Sequence, residues 1–331
     1  MKIILEKLYQ HHILTKEEAK QMLTDIVLEK YNPYQIASFL TVLNVRKITV
    51  EELKGFREAL LELMIEIDLK AYQPMDLCGT GGDGKNTFNI STLTAFIVAG
   101  AGVPVAKHGN YGVSSISGSS NVLEYLGIKF TTNQQLLEQQ IEKANICFLH
   151  APLFHPSLKY VAPIRKQLGV KTFFNMLGPL VNPARPRVQS TGVFNLELAR
   201  MYQYLLQEDD NTKFSIIHSL DGYDEIVLTN SCKIISNQNE QTITAADFGF
   251  KTIQPEEVFG GNSIEEAANI FTNIINGNGT IAQNNVVLAN AAIAIQTYHQ
   301  QLSIDAALEI AKDSLFSLKA KQSLKKLKQI A

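Results

Sequence analysis

The residues best suited to chemistry lie in 76-DLCGTGGDGKNTFNISTLTAFIVAG, where Gly79, Gly81, Gly82 and Gly84 fall within six residues. No helix or strand interior accommodates that density of glycine, so the segment is a loop. Ser91 to Ala99 then reads as a buried helix. A flexible loop opening onto a helix turns backbone N–H groups and the helix dipole towards an anion. Asp83, Asn89, Ser91 and Thr92 add polar groups able to meet phosphate or a metal. Two generic motifs fail here. Gly79, Gly81 and Gly84 satisfy GxGxxG, but no Asp or Glu stands about 20 residues on to hold a ribose. Gly79, Gly84 and Lys85 approach the P-loop pattern, but Asn86 stands where the magnesium-binding hydroxyl belongs.

A second cluster is 105-VAKHGNYGVSSISGSSNVLEYLG. Lys107, His108 and Asn110 follow a strand-like VPVA run, and Gly109 and Gly112 permit unusual backbone angles. Ser114, Ser115, Ser117, Ser119 and Ser120 offer hydroxyls to phosphate oxygens, and the run from Ser119 also suits the cap of a following helix. A third candidate is Asp224–Glu225 in 221-DGYDEI. On spacing alone, such a pair is either a solvated surface or a site for a hard cation such as magnesium. Asp209 and Asp210 read as a loop, and His150 and His218, inside strand-like runs, as core histidines. Cys78, Cys147 and Cys232 are too far apart for a CxxC zinc site and too few for a disulfide framework, which fits a reducing compartment.

These groups need a scaffold. Residues 1 to about 66 read as helical, with capping-box spacing at Thr15/Glu18 and Thr49/Glu52 and one apolar face at Ile36, Phe39, Leu40 and Leu43. From Tyr72 onwards strand-like runs (146-ICFLHA, 214-FSIIHSL, 226-IVLT) alternate with helical patterns, among them Ser263–Ile275, opened by Ser263 and Glu266, and Ala289–Thr297. This predicts an α/β fold: a small N-terminal helical domain over 1–68 plus a large α/β domain with a mostly parallel central sheet over 69–162 and 188–331. The Pro- and Gly-rich segment 163–187 leaves the large domain, part of it joining the small one.

Composition bounds the rest. The 331 residues carry 30 Lys+Arg against 32 Asp+Glu, a net charge of −2, with 45% apolar residues. A near-neutral chain without a basic block is a poor nucleic-acid or anionic-membrane binder. The basic tail 318-LKAKQSLKKLKQI reads as a solvated last helix. The N-terminus lacks a signal-peptide core. The longest apolar stretch, Ala95–Ala106, is broken by Gly100, Gly102 and Pro104, short of the ~20 residues that span a bilayer. A cytoplasmic protein is expected.

GTGGDG (79–84), NIST (89–92), KHGN (107–110) and SGSSNVLEYLG together resemble the anthranilate phosphoribosyltransferases of tryptophan biosynthesis. So do 155-HPSLKYVAPIRKQLGVKTFFNMLGPLVNPA, 221-DGYDE and VVLANAAIAI, in the family's order along essentially the whole chain. The resemblance implies transfer of phosphoribose from phosphoribosyl pyrophosphate (PRPP) to the amine of anthranilate, with release of pyrophosphate. It implies a homodimer through the helical domain and magnesium, two ions per active site. By the same resemblance Gly79, Gly82, Asp83, Thr87, Asn89, Ser91, Thr92, Lys107 and Ser119 bind the donor. Gly79, His108, Asn110, His155 and Arg165 bind the acceptor, with Arg165 on its carboxylate, and Ser91, Asp224 and Glu225 hold magnesium. No general base is assigned, because an arylamine is already unprotonated at neutral pH. Tyr111 stands where the family often has Arg, and Asn121 where it often has Asp. The pyrimidine nucleoside phosphorylases are similar in overall fold, but KHGN and the Asp224–Glu225 pair favour the transferase.

Overall fold

A computed structural model describes residues 1–112 and 115–330. Four helices open the chain: α1 (Lys2–Tyr9), α2 (Lys16–Val27), α3 (Pro33–Arg46) and α4 (Val50–Leu63). Both predicted capping boxes form, at Thr15/Glu18 and Thr49/Glu52, and a third forms at Asn32/Gln35 with Pro33 in the first turn. Ile36, Phe39, Leu40 and Leu43 are the buried face of α3.

The remainder is built on seven strands: β1 (Met75–Gly79), β2 (Val105–Gly109), β3 (Ile146–His150), β4 (Val188–Gly192), β5 (Lys213–Ser219), β6 (Cys232–Ser236) and β7 (Glu240–Ile243). Their order is β3-β2-β1-β4-β5-β6-β7. The first five run parallel, and β6 and β7 pair antiparallel at one edge. Crossovers include α5 (Ile90–Gly100), α6 (Ser119–Tyr125), α7 (Gln134–Ala144), α8 (Ala151–Phe154), α9 (Val161–Leu168) and α10 (Leu196–Leu206). The chain ends with α11 (Ile264–Ile275), α12 (Ile281–Tyr298), α13 (Ile304–Phe316) and α14 (Lys319–Ile330). No helix among the described residues is long and apolar enough to cross a membrane.

The two-residue period of the strands sorts side chains into separate cores. Val105, Ile146, Phe148, Ile217 and Ile234 face one side, with the nearly wholly buried α5 and α12. On the other side, Ala106, Cys147 and Leu149 pack with Ile67, Leu137 and Phe154. Phe214, Ile216 and Ile235 share that side with α10, the helical bundle, and Phe173, Phe174, Leu177 and Leu180 from the Pro- and Gly-rich segment. The same alternation fixes the chemistry of β2. Lys107 points to the face of Val105, and His108 to the face of Ala106.

Three sequence expectations are corrected. 226-IVLT is a buried loop rather than a strand: the Asn290 side chain from α12 both accepts from the Ile226 N–H and donates to the Ile226 carbonyl, replacing a strand partner. Ser263 caps α11 through the Glu266 N–H, but the Glu266 carboxylate accepts from Asn262, so the reciprocal half of the box is displaced by one residue. The helix read over Ala289–Thr297 begins eight residues earlier, at Ile281, behind a Thr280/Gln283 capping box.

Candidate active site

The chain winds from β1 outwards to β3, then returns to the other side of β1 as β4. The order in which strands are added therefore reverses between the parallel neighbours β1 and β4, and ligands of open α/β sheets bind outside the strand C-termini at such a point. The glycines that end these strands, Gly79 and Gly192, are opposed partners. Both are needed small: a Cβ on Gly79 would stand 2.5 Å from the Asp224 carboxylate, and one on Gly192 only 1.5 Å from the Asp224 carbonyl oxygen. Gly192 carried no motif, and its role is visible only once residue 224 is folded over it.

A cavity of about 290 Å³ opens at this position. Gly79, Gly82, Asp83, Thr87, Asn89, Ser91, Thr92, Lys107, His108, Asn110, Ser119, His155, Arg165, Asp224 and Glu225 all line it. So do Lys85, Tyr111, Phe174 and Asn175, to which the sequence assigned no role. Ser114 lies outside the described residues.

Asp224 accepts from the Gly81 N–H at 2.7 Å, and Glu225 from the Ser91 N–H at 2.8 Å. The carboxylates thus close the glycine loop and cap α5, which has no side-chain cap of its own. Burial, reinforced by Asp83, pushes the Asp224 carboxyl up to about 6, and burial with Asp224 raises Glu225 well above the carboxylate range. Burial also raises Asp83. Buried carboxylates that oppose one another's ionisation suit a cation. Among the described residues, no three His, Cys, Asp or Glu side chains are grouped closely enough to hold a metal by themselves. Magnesium takes one or two carboxylates and completes its shell with water and substrate phosphate, a role the Asp224–Glu225 pair has the donors to fill.

Lys107 is buried, and its amine donates to the Leu77 carbonyl. Beneath it Asp76 accepts from the His108 N–H, and burial raises its carboxyl to about 6. His108 Nδ1 lies 3.0 Å from the Gly178 carbonyl, and His155 Nε2 3.0 Å from the Val181 carbonyl. A carbonyl only accepts, so those nitrogens carry the protons. Burial lowers His108 to about 3 and His155 to about 4, which keeps both rings neutral. His108 Nε2 and His155 Nδ1 are then two buried acceptors without partners among the described residues. Arg165 lies over the Phe174 ring at 5.0 Å and donates to Asn175. His150 and His218 are satisfied core residues, bonded to Ser120 and to the Val193 carbonyl.

Asn121 explains the serine loop's closure. Its Oδ1 accepts from the N–H groups of both Gly112 and Gly118, pinning the loop's two ends, so Asn121 rather than Ser119 supports the start of α6. The Ser119 hydroxyl instead donates to the Asn110 carbonyl.

A helical bundle before an α/β domain, with a glycine loop and paired carboxylates at the sheet's switch point, defines a class of glycosyl transferase. The family model for the glycosyl transferase helical bundle domain matches residues 2–64, and that for the glycosyl transferase a/b domain matches 71–321. The chain is 61% identical to the anthranilate phosphoribosyltransferase of Flavobacterium johnsoniae over 331 residues, all of both chains. The crystal structure of the Thermus thermophilus enzyme of that name superposes with a TM-score of 0.90 at 30% identity, covering 98% of each chain. The Saccharomyces cerevisiae enzyme in complex with PRPP and Mg matches with a TM-score of 0.90 at 26% identity, over 98% of this chain and 96% of that one. The same yeast enzyme in complex with 4-fluoroanthranilate matches at 0.88 and 25%, with the same coverage. The chain belongs to the anthranilate phosphoribosyltransferase family.

Proposed function

We propose that this protein transfers phosphoribose from PRPP to the amine of anthranilate and releases pyrophosphate, as in tryptophan biosynthesis. The observation that carries this reading is the convergence of the glycine loop, KHGN, Arg165 and the Asp224–Glu225 pair on one cavity. The donor lies along Gly79, Gly82, Asp83, Thr87, Asn89, Ser91, Thr92, Lys107 and Ser119. Two magnesium ions accompany it, held by Ser91, Asp224 and Glu225. When bound, magnesium neutralises charge on the pyrophosphate as it departs.

The acceptor sits against Gly79, Asn110, His108, His155 and Arg165. The two neutral imidazoles accept the amine N–H bonds, which leaves the nitrogen lone pair free to face the anomeric carbon. His108, held near 3, is too weak a base to take a proton usefully at neutral pH, so orientation carries the acceptor's side of the reaction. The small domain comprises 1–68 with part of 163–187, and the large domain comprises 69–162 and 188–331. Phe173 and Phe56, stacked at 4.2 Å, support that division. The setting is cytoplasmic, in keeping with three free cysteines.

The direct test follows anthranilate fluorescence with PRPP, with and without magnesium. Magnesium-dependent loss with stoichiometric pyrophosphate is expected. A folded protein that binds PRPP but leaves anthranilate unchanged overturns the acceptor assignment. Arg165→Ala should raise the anthranilate dissociation constant at least about 30-fold, since losing one charge-assisted contact costs roughly 2 kcal/mol or more. Equal losses for donor and acceptor would sink that role.

The homodimer forms through the helical domain, where Ile3, Tyr34 and Val45 are 79%, 87% and 77% exposed. Light scattering at micromolar concentration should give twice the chain mass, and Tyr34→Glu with Val45→Glu should give the monomer. A monomeric wild-type chain refutes it.

A further inference from the structure

Among the described residues, three cations line the cavity: Lys85, Lys107 and Arg165. Two are engaged within the protein, Lys107 with the Leu77 carbonyl and Arg165 with Asn175 at the acceptor end. Lys85 makes no ion pair among the described residues, and its amine rests 4.6 Å above the Tyr223 ring. Its backbone N–H donates to the Asp83 carboxylate, which ties its main chain, not its side chain, to the glycine loop. Lys85 also lines a second, open groove, together with Tyr223, Pro255, Phe259 and one carboxylate, Glu256. Among the described residues, only Lys85 and Thr87 belong to both spaces. A half-buried ammonium at the junction of an anion-binding cavity and an outlet is placed to meet an anion moving between them.

We propose that Lys85 binds the pyrophosphate group, both of the donor and as the departing product, and that the groove beside Tyr223 is its path to solvent. This rests on the donor reading of the cavity and extends it. Asp83 and Glu256 stand near the ammonium, but among the described residues neither forms an ion pair with it, so it reaches phosphate oxygens from the Tyr223 ring without breaking a salt bridge. The flexible stem suits a group that follows a leaving anion better than the buried amine of Lys107 does.

Calorimetric titration of inorganic pyrophosphate in magnesium buffer tests this on wild type, Lys85→Met and Lys85→Arg. Lys85→Met keeps the packing on Tyr223 and should bind roughly tenfold more weakly, the loss of one charge-assisted contact. Lys85→Arg should recover most of the affinity. The wild-type affinity should fall more steeply with salt than that of Lys85→Met, and the KM for anthranilate should not move. Wild-type pyrophosphate affinity in a folded Lys85→Met protein overturns the proposal and leaves the donor reading standing. A wild-type chain that binds no pyrophosphate overturns the donor reading, and this proposal with it.

Discussion

Asp224→Asn combined with Glu225→Gln lowers turnover on the order of 10³-fold and raises the magnesium concentration needed for half-maximal rate. Metal stabilisation of a developing anion is worth several kcal/mol, and each ~1.4 kcal/mol is a factor of ten. The amides still accept from Gly81 and Ser91 through their carbonyl oxygens, so the loop closure seen at 2.7 and 2.8 Å survives. The stability effect has the opposite direction to the catalytic one. The Asp224 carboxyl is pushed up to about 6, above its unfolded value near 3.9, and burial beside Asp224 raises Glu225 as well. For an acid raised in this way the folded chain binds more protons than the unfolded chain. The metal-free protein therefore loses stability as pH rises from about 4 through 6. The amide variant lacks that loss, so without magnesium at pH 7 it should melt at or above the wild-type temperature. Loss of turnover accompanied by a lower melting temperature would point to a damaged loop, and wild-type kinetics would refute the metal role.

That loop marks where sequence reading stops. GTGGDG, KHGN and Asp224–Glu225 were legible because each concentrates chemistry-bearing residues within a few positions. Their mutual placement was not, because Asp224 meets Gly81 across 143 positions and Glu225 meets Ser91 across 134. The loop at 226 misread as a strand for the same reason. Ile226, Val227 and Leu228 have the apolar character of a central strand, but distant partners stand in for a strand ladder: Asn290 at Ile226, and the Ile253 N–H at the Leu228 carbonyl. Lys85 escaped notice inside a failed P-loop pattern, since its meaning depends on Tyr223 and Phe259 being folded beside it. Secondary structure was most legible where caps are local, as at Thr15 and Thr49, and least where a boundary depends on packing. Even at Thr49 the local signal understates what the cap does.

Glu52→Ala should destabilise the helical bundle by about 3–5 kcal/mol, the cost of breaking a buried charge pair from one side. A capping-box Glu is ordinarily a surface group, yet Glu52 is fully buried. One oxygen accepts from the Thr49 N–H and hydroxyl, at 2.8 and 3.1 Å. The other accepts from the Leu14 N–H at 2.9 Å and from the Arg46 guanidinium at 2.5 Å. One carboxylate thereby fixes the start of α4, the end of α3 and the turn before α2. Removing it strands Arg46, whose side chain is 7% exposed, and leaves the Leu14 N–H without an acceptor. Glu52→Gln keeps one accepting oxygen and the same volume, so it should lose less. Neither residue touches the cavity, so well below the melting transition turnover per folded chain should stay near wild type. A Glu52→Ala protein that melts with the wild type would mean that Arg46 and Leu14 find other partners. The carboxylate would then be a cap and nothing more.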